Sequence, residues 1–393
     1  MKITFFSNFL NHHQLPFCLE MQNRLGDKFK FVATEKVPDD RLALGYDDMN
    51  KAYDFVVRAY EDEEEAYRLG LDSDVVIIGS APSKYIKERL KKGKLMFRYS
   101  ERIFRNGFNF KKWLALIKNF TLMEHKNVYL LCSSAYSAYD FNLAGAYINK
   151  SFKWGYFPEV IKYNINELLE KKNKSKTIKI IWVARFLALK HPEKVIEIAK
   201  RLRNDKVNFS IKMIGIGPLF DQTKEMIKQN NLEDKVKLLG AINNKEVRKH
   251  MDEANIFLFT SDYNEGWGAV VNEAMNSGCA VVASHAIGSV PFLINHKKNG
   301  LIYKDDSIDD LYNQVKFLID NKEQRNKISK NAYKTMIKYW NASYATEELL
   351  KISKKLLNGE KKTFLDGVGP CSKAYSIKEK NMYDFCVQTK EDV

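Results

Sequence analysis

The amino-acid sequence predicts an α/β protein with two doubly wound, Rossmann-like domains. Short β-rich runs recur along both halves, and a helical pattern follows most of them. The runs lack the polar–apolar alternation of half-exposed strands, so we expect strands buried on both faces. Strand–helix–strand repetition requires crossover connections, which produce parallel sheets. With 393 residues, the chain is long enough for two domains.

The first half contains six predicted strands. The N-terminal run lacks the long apolar core and the cleavage site of a signal peptide, so we interpret it as the first strand. Helices are predicted at EDEEEAYRLG, at SKYIKERLKKG and from Phe110 to His125. The predicted strands are KITFFS, FKFVAT, DFVVRA, DVVIIGS, KLMFRYS and NVYLLCS.

The second half repeats the scheme more regularly. Its predicted strands are IKIIWVAR, NFSIKMIGIG, KVKLLGAI, NIFLFTS and CAVVAS. Its predicted helices are HPEKVIEIAKRL, LFDQTKEMIKQNN, NKEVRKHMDEA and GWGAVVNEAMNSG. We therefore expect a first domain over 1–156, a linker over 157–176, a second domain over 177–340, a C-terminal helix over 341–358 that crosses back to the first domain, and a tail over 359–393 without an assigned role.

Composition and charge narrow the class of protein. Lys and Arg number 64 against 49 Asp and Glu, a net charge of +15. Such a charge suits an anionic partner, but the interspersed acidic residues also fit a lysine-rich surface without function. No stretch approaches the roughly 18 uninterrupted apolar residues of a membrane span. Five cysteines without a CxxC motif predict reduced thiols, and we expect a cytoplasmic protein.

A polar loop, SDYNEGWG, follows the buried run NIFLFTS. Open α/β sheets bind ligands at the carboxyl ends of their strands, so a loop here would face a cleft between the two sheets. Gly266 and Gly268 permit a tight backbone at a helix start, where free N–H groups suit phosphate or sugar hydroxyls. Glu265 and Glu273 are eight residues apart, about 12 Å along a helix. They would hold different parts of an extended ligand. The alternative is a helix with an exposed glutamate at each end.

This pattern, Glu-x7-Glu with Gly-Trp-Gly after the first Glu, resembles the donor-binding signature of glycosyltransferase family 4. The resemblance extends in order over residues 178–305 and includes MIGIGP, LLGAI and GSVPFLINHKKNGLIY. It implies the GT-B fold and transfer of a sugar from a nucleotide diphosphate sugar with retention of configuration. It also implies that no metal or other cofactor is required. One departure is His191 after Lys190, where the family usually has glycine.

The resemblance also implies a role for each matching residue. Arg185 and Lys190 would stabilise the departing diphosphate, because negative charge develops there as the glycosidic bond breaks. Glu273 would hold the ribose hydroxyls, and Glu265 would contact the sugar. The remaining donor contacts would come from Gly266, Trp267, Gly268 and Ala269, mainly through their backbone, and from the turns at Gly217 and Gly240.

A dinucleotide site is a weaker interpretation of the same glycines. The fingerprint needs a third glycine three residues after Gly217, and Phe220 stands there. No P-loop pattern occurs either. A different GT-B enzyme, such as a sugar-nucleotide epimerase, and a non-enzymatic basic binding protein stay as alternatives. We expect no nucleic-acid partner, because basic residues mixed with aromatics are concentrated in one segment alone.

The first half is expected to bind the acceptor, a growing glycan or a lipid-linked sugar. Its first loop, SNFLNHHQLPF, lacks the glycines common in the family, and His12 and His13 could supply imidazole contacts instead. Arg98 and Glu101 lie where the predicted strand KLMFRYS ends and could contact the sugar or the acceptor. Surface positions and surface salt bridges are the alternatives for these four residues.

Residues 108–126 mix aromatic, aliphatic and lysine side chains. A basic amphipathic helix of this kind can lie on an anionic membrane, which would place the protein at the inner membrane face. The alternative is an ordinary helix that packs on the sheet with its lysines in solvent.

Overall fold

Two parallel sheets organise the structure, which is a computed structural model. It describes residues 1–39, 47–360 and 368–388. Within those ranges one sheet has seven strands and the other has six. They belong to two units. The first comprises residues 1–158 and 341–377, and the second comprises 159–340 and 378–393. The predicted fold class, two Rossmann-like α/β units, is confirmed.

The first sheet has the strand order β3-β2-β1-β4-β5-β6-β7, with all neighbours parallel. The central strands are buried on both faces, as the unalternating runs predicted. Only β7, three residues long, was not predicted. The strands are β1 Ile3–Ser7, β2 Phe29–Ala33, β3 Val56–Arg58, β4 Val75–Ile78, β5 Met96–Ser100, β6 Val128–Cys132 and β7 Ser151–Lys153.

Helices connect these strands. The helix Glu63–Asp72 starts at the acidic run, as predicted. The Asp62 carboxylate accepts a hydrogen bond from the Glu65 backbone N–H (3.0 Å), and acidic residues fill the first turn of this helix. The helix predicted from Phe110 to His125 is shorter and continues as a π-helical turn over Ile117–Thr121. The helices are α1 Leu15–Leu25, α2 Met49–Ala52, α3 Glu63–Asp72, α4 Lys87–Lys91, α5 Phe110–Leu116 and α6 Ser137–Asn142.

The second sheet has the order β10-β9-β8-β11-β12-β13, again all parallel. Five of its strands were predicted, and β13 was not. The strands are β8 Ile178–Val183, β9 Phe209–Ile214, β10 Val236–Leu238, β11 Ile256–Phe259, β12 Ala280–Ser284 and β13 Leu301–Tyr303. The helices are α7 Ile165–Lys172, α8 Pro192–Asn204, α9 Phe220–Gln229, α10 Asn244–Glu253, α11 Val270–Asn276, α12 Val290–Leu293, α13 Ile308–Asp320 and α14 Lys322–Lys338.

The segment predicted as a linker, 157–176, is different in the structure. It contains α7, which is part of the second unit. The Lys172 ammonium is buried and donates to the backbone carbonyls of Met251 (2.9 Å) and Ala254 (2.6 Å). The polar, Lys-rich composition suggested a linker, but lysine side chains can satisfy carbonyls inside a unit.

The C-terminal residues return to the first unit and then to the second. Helix α15, Ala342–Leu357, packs against α1, so the predicted crossing is observed. In the tail predicted over 359–393, backbone hydrogen bonds of 2.8 Å join Lys153 to Cys371 and Ser372, which covers the edge of β7. Helix α16, Met382–Val387, lies in the second unit. Residues 361–367 and 389–393 of the tail lie outside the described residues.

In the described part of the chain, no helix is both long enough and apolar enough to cross a bilayer.

Candidate functional site

Three loops at the carboxyl ends of neighbouring strands are joined through their backbones in the second unit. The Ala184 N–H donates to the Ile214 carbonyl (3.1 Å), and the Gly215 N–H donates to the Gly240 carbonyl (2.8 Å). These bonds connect the loops after β8, β9 and β10. The residues that follow these strands therefore lie at one edge of the sheet, as parallel strands require.

Glycines permit this close approach of backbones. A Cβ atom on Gly215 would stand 2.0 Å from the Ala184 carbonyl oxygen, and one on Gly217 would stand 2.6 Å from the Phe186 carbonyl oxygen. Both glycines have positive φ, +132° and +155°. Gly217, predicted as a donor contact, therefore has a structural task here, since it brings its loop against the loop of Arg185. Gly240 also has positive φ, +67°, but open space surrounds its Cβ position.

The backbone at Lys190 is fixed by a buried chain of hydrogen bonds. The Trp182 indole N–H donates to the Thr260 hydroxyl (2.9 Å), which donates to the Lys190 carbonyl (2.6 Å). Trp182 lies on β8 and Thr260 follows β11, so the two central strands together hold the short 3₁₀ turn Ala188–Lys190. Arg185, exposed, precedes this turn.

The Lys190 ammonium and the Glu265 carboxylate form a hydrogen-bonded ion pair. Both side chains are largely buried, and the Ser261 hydroxyl donates to the same carboxylate (3.1 Å). Burial and, to a smaller extent, the Arg185 cation lower the pKa of Lys190 to about 8, and Asp262 acts in the opposite direction. The direction of the shift means that burial and the Arg185 charge together outweigh the attraction of Asp262. Lys190 and Glu265 are 75 positions apart in the sequence, so only the tertiary fold brings them together.

The backbone at His191 has a conformation that glycine adopts without strain. It is left-handed, with φ +50° and ψ +55°, a conformation that side chains disfavour. The imidazole bonds to Glu193 through Nδ1 (2.6 Å) and to Asp262 through Nε2 (3.1 Å). The hydrogen bond with Glu193 raises the pKa of His191. These contacts offset the backbone strain and connect the Lys190 turn to the Glu265 loop.

The loop that carries Glu265 is held by close packing. Gly268 has φ +75°, and a Cβ atom there would lie 2.2 Å from the Phe259 ring. Trp267 is 1% exposed, and its indole N–H donates to the Asn272 side chain (3.0 Å). The Trp267 side chain is therefore part of the core and does not contact a ligand. Any contact from Gly266 to Ala269 has to come from the backbone.

Glu273 lies on α11, which begins at Val270, two residues after Gly268, so the predicted helix start is confirmed. Glu265 precedes this helix, so the helical rise does not set its separation from Glu273. Within the described residues the Glu273 carboxylate makes no hydrogen bond. Burial raises its pKa, and the Arg248 cation acts in the opposite direction. A half-buried carboxylate that makes no hydrogen bond with the described residues is available to bind a ligand.

A polar cavity of about 490 Å³ lies in the first unit, at the carboxyl ends of β1, β4, β5 and β6. Glu101 is in its lining, where its carboxylate accepts from the Tyr156 hydroxyl (2.8 Å) and pairs with Arg105. Burial and the Glu101 charge raise the pKa of Tyr156 far above its usual range. Tyr156 is therefore a neutral donor that holds the Glu101 carboxylate in place.

The other candidates of the first unit are arranged differently. Arg98 also lines the cavity, but its guanidinium forms a buried ion pair with Glu124. The cavity lining includes Asn11 and Gln14 and leaves out the two residues between them, His12 and His13. His13 instead stacks on Tyr156, with ring centroids 5.4 Å apart. The structure thus brings Glu101 and Arg98 to one cavity and places the two histidines beside it.

Several residues of these sites were not predicted. Ser261 and Asp262 lie two and three residues after the end of β11, and that position alone would have indicated them. No local signal marks Tyr156, which reaches Glu101 from 55 positions away. Among the residues that the structure describes, His, Cys, Asp and Glu form no group of three or more suited to a metal ion.

Comparison with known proteins identifies the class of the second unit. Residues 164–335, less than half of the chain, match the family described as "Glycosyl transferases group 1". The match contains Arg185, Lys190, Glu265 and Glu273. The chain is therefore a relative of glycosyltransferases through its second unit.

Individual relatives agree with this class. The amylovoran biosynthesis glycosyltransferase AmsK of Erwinia amylovora is 33% identical over 153 residues, 38% of this chain and 36% of AmsK. The N-acetylgalactosamine-N,N'-diacetylbacillosaminyl-diphospho-undecaprenol 4-alpha-N-acetylgalactosaminyltransferase of Campylobacter jejuni is 30% identical over 172 residues, 44% of this chain and 45% of that enzyme. The chain thus matches less than half the length of these relatives.

Solved structures match nearly the whole chain and show the fold. HepE of Anabaena, crystallised with UDP, has a TM-score of 0.68 at 15% identity and covers 90% of this chain and 100% of its own. The lipopolysaccharide outer core galactosyltransferase WaaB has a TM-score of 0.68 at 16% identity and covers 92% of this chain and 100% of its own.

Proposed function

We propose that the protein is a retaining glycosyltransferase of family 4. It transfers a sugar from a nucleoside diphosphate sugar to a hydroxyl group of a glycan or lipid-linked acceptor. The observation that carries the proposal is the arrangement after β8 and β11, where Arg185 and the Lys190–Glu265 pair lie in one group of loops. Cations beside a carboxylate suit a donor that has a charged diphosphate next to a neutral sugar.

Each residue then has a chemical role. The bond between the anomeric carbon and the diphosphate oxygen breaks, and Arg185 and Lys190 stabilise the negative charge that the diphosphate gains. Glu265 holds Lys190 and contacts the sugar. The acceptor oxygen bonds to the anomeric carbon, and its proton passes to the departing phosphate. No dedicated base and no metal are required in this scheme.

Glu273 would bind the ribose. Its carboxylate makes no hydrogen bond within the described residues, and burial favours a partner that donates two hydrogen bonds. A ribose with two free hydroxyls is such a partner. HepE was crystallised with UDP, which supports a uridine nucleotide as the first donor to test.

The cavity of the first unit would hold the acceptor. Glu101 is fixed there by Tyr156 and Arg105, so its carboxylate can accept a hydrogen bond from a sugar hydroxyl. The name of the Campylobacter relative includes a diphospho-undecaprenol acceptor, which supports a lipid-linked sugar as the acceptor. Synthesis of a cell-surface polysaccharide or glycolipid is the process that these substrates serve.

Binding of a nucleoside diphosphate tests the proposal. We expect UDP to raise the melting temperature of the wild type by several degrees, because ligand at about 100 times its Kd stabilises a protein by about 2.7 kcal/mol. Glu273→Ala should lose most of this shift. Without ligand, its melting temperature should be close to that of the wild type, because the half-buried carboxylate makes no hydrogen bond within the described residues and burial raises its pKa. The measurement is thermal unfolding with UDP, GDP and ADP.

Glu225→Ala is the matched control, since Glu225 is an exposed glutamate inside another helix of the same unit. It should keep the full nucleotide shift. If none of the three nucleotides stabilises the wild type at millimolar concentration, the proposed function is wrong. An equal shift in wild type and Glu273→Ala would remove Glu273 from the site.

The pKa of Lys190 predicts how nucleotide affinity depends on pH. Because this pKa is about 8, the ammonium is present at pH 7 and largely lost at pH 9. We expect the Kd of UDP to rise about tenfold between these pH values, since the neutral amine no longer attracts the diphosphate.

Isothermal titration calorimetry from pH 7 to pH 9 measures this dependence. Lys190→Met should bind UDP weakly at every pH, with no dependence over this range. A wild type whose affinity is constant from pH 7 to pH 9 would contradict the role of the Lys190 ammonium.

A further inference from the structure

A large part of the first unit's exposed apolar area lies around α5. Six large side chains form what we term the apolar surface: Phe108, Phe110, Leu114, Leu122, Met123 and Ile148. Phe108 is 63% exposed, Phe110 60% and Leu122 65%, although such side chains are usually buried. A group of this size in one region indicates a contact with a partner.

The apolar surface is held in shape by the unit beneath it. The Trp113 indole N–H donates to the Leu143 carbonyl (2.9 Å), and the Thr121 hydroxyl donates to the Ala144 carbonyl (2.6 Å). These bonds fix α5 and the π-helical turn against the loop that leads to Ile148. Phe110 stacks on Trp113, with ring centroids 5.5 Å apart. The surface therefore presents its apolar groups without prior rearrangement.

The charge of this region has one sign. Lys111, Lys112, Lys118 and Lys126 are exposed in the same segment. Between residues 102 and 139 the sequence contains a single acidic residue, Glu124, and its carboxylate is buried in the ion pair with Arg98. The segment thus exposes lysines among large apolar groups and no carboxylate.

We propose that the apolar surface docks onto an anionic lipid membrane. Apolar and aromatic side chains enter the boundary between headgroups and acyl chains, and the lysines remain at the level of the lipid phosphates. Each lysine near an anionic surface adds electrostatic attraction that salt weakens.

Two other partners fit the surface less well. In a symmetric dimer the lysines of one copy would face those of the other, and like charges in an interface are unfavourable. Single-stranded nucleic acid binds basic surfaces through bases stacked on aromatic rings. Most of this surface is aliphatic, with Leu114, Leu122, Met123 and Ile148, and these side chains offer no ring for a base.

The apolar surface adjoins the proposed acceptor site. Phe120 lines the 490 Å³ cavity and also a second cavity of about 170 Å³, whose lining includes Ile148 of the apolar surface. A lipid-linked acceptor anchored in the bilayer could therefore reach the larger cavity with its polar head. The delivery of a lipid-linked acceptor to the cavity rests on the proposed function, whereas the docking of the apolar surface onto a membrane does not.

Sedimentation with vesicles tests the docking. We expect the protein to bind vesicles of phosphatidylcholine with 30% phosphatidylglycerol and to bind pure phosphatidylcholine weakly. Phe110→Ser/Leu114→Ser should weaken binding at least about tenfold, because two buried apolar groups are lost. The control is Leu19→Ser/Leu357→Ser, which changes two exposed leucines of the same unit and should bind like the wild type.

The lysines are tested in the same way. Lys111→Gln/Lys112→Gln should weaken binding to the anionic vesicles about 30-fold, because each lysine near the surface contributes attraction. Lys91→Gln/Lys92→Gln removes two exposed lysines outside the segment and should bind like the wild type.

Three results would overturn the inference. The first is no binding to anionic vesicles, and the second is an equal loss of binding in the control and test variants. The third is a wild-type dimer or a wild-type complex with an oligonucleotide that Phe110→Ser/Leu114→Ser disrupts and the control variants do not. UDP stabilisation is measured on the same proteins. If vesicles fail to bind while UDP stabilises the protein, the docking inference alone is wrong; the reverse pattern would reject the proposed function alone.

Discussion

Replacing Lys190 by methionine is expected to lower kcat about 10²- to 10³-fold, the usual loss when one group that stabilises a leaving charge is removed. Lys190 is the buried cation of the candidate site, and the chain Trp182–Thr260–Lys190 fixes its backbone. Methionine keeps the length of the side chain and removes the ammonium. Without it the diphosphate loses a largely buried cation, whose attraction solvent screens less than that of an exposed one.

The rate is measured as release of nucleoside diphosphate from the sugar nucleotide whose nucleotide stabilises the wild type. Lys194→Met is the matched control. Lys194 is a lysine of the same unit with a similar exposure, 13% against 14%, and it also pairs with a carboxylate, that of Asp305. It should keep nearly the wild-type rate. Equal losses in both variants would show that the effect comes from any broken ion pair and not from the proposed site.

Gly268→Ala is expected to destabilise the second unit by about 2–5 kcal/mol. Positive φ costs an alanine about 1–2 kcal/mol, and forcing atoms into a packed core costs about 1–3 kcal/mol more. The added Cβ would meet the Phe259 ring at 2.2 Å, and this ring is 2% exposed. The loop of Glu265 has to move, so UDP affinity should fall as well.

Gly240→Ala separates the cost of the positive φ from the cost of the contact with the Phe259 ring. Gly240 has a similar φ, +67°, but no atom lies within 4 Å of its Cβ position. This variant should lose about 1–2 kcal/mol, the backbone cost alone. Urea unfolding followed by tryptophan fluorescence measures both, because Trp267 and Trp340 lie together in the core of the second unit, 5.6 Å apart. A loss in Gly268→Ala no greater than that in Gly240→Ala would contradict the packing argument.

Most strands were predictable because a strand buried on both faces is a continuous apolar run in the sequence. A run such as DVVIIGS has no polar position to place in solvent. The two missed strands, β7 and β13, have three residues each, and no longer β-rich run contains them. The equally short β3 and β10 were predicted because they lie inside the longer runs DFVVRA and KVKLLGAI. The helix α7 was missed because its lysines suggested a linker, and its place in the second unit depends on carbonyls of α10 and the turn after it, far along the chain.

The resemblance to glycosyltransferase family 4 supplied the candidate site residues Arg185, Lys190, Glu265 and Glu273, and their role as a donor site stays a prediction. The position of the Glu265 loop after a buried strand was visible in the sequence. The tight turns marked by Gly217 and Gly268 were also visible, since glycine there is a local requirement of the backbone.

The sequence by itself determined the fold class, because local burial is visible in the strand runs. It indicated the candidate donor residues through the resemblance to glycosyltransferase family 4. Tertiary structure alone decided which side chains meet. It placed Lys190 on Glu265, enclosed Trp267 in the core, closed Arg98 in an ion pair with Glu124, and left Phe108, Phe110 and Leu122 in solvent. Contacts between distant residues depend on how the strands stack and which faces the helices cover, and no local pattern in the chain records that.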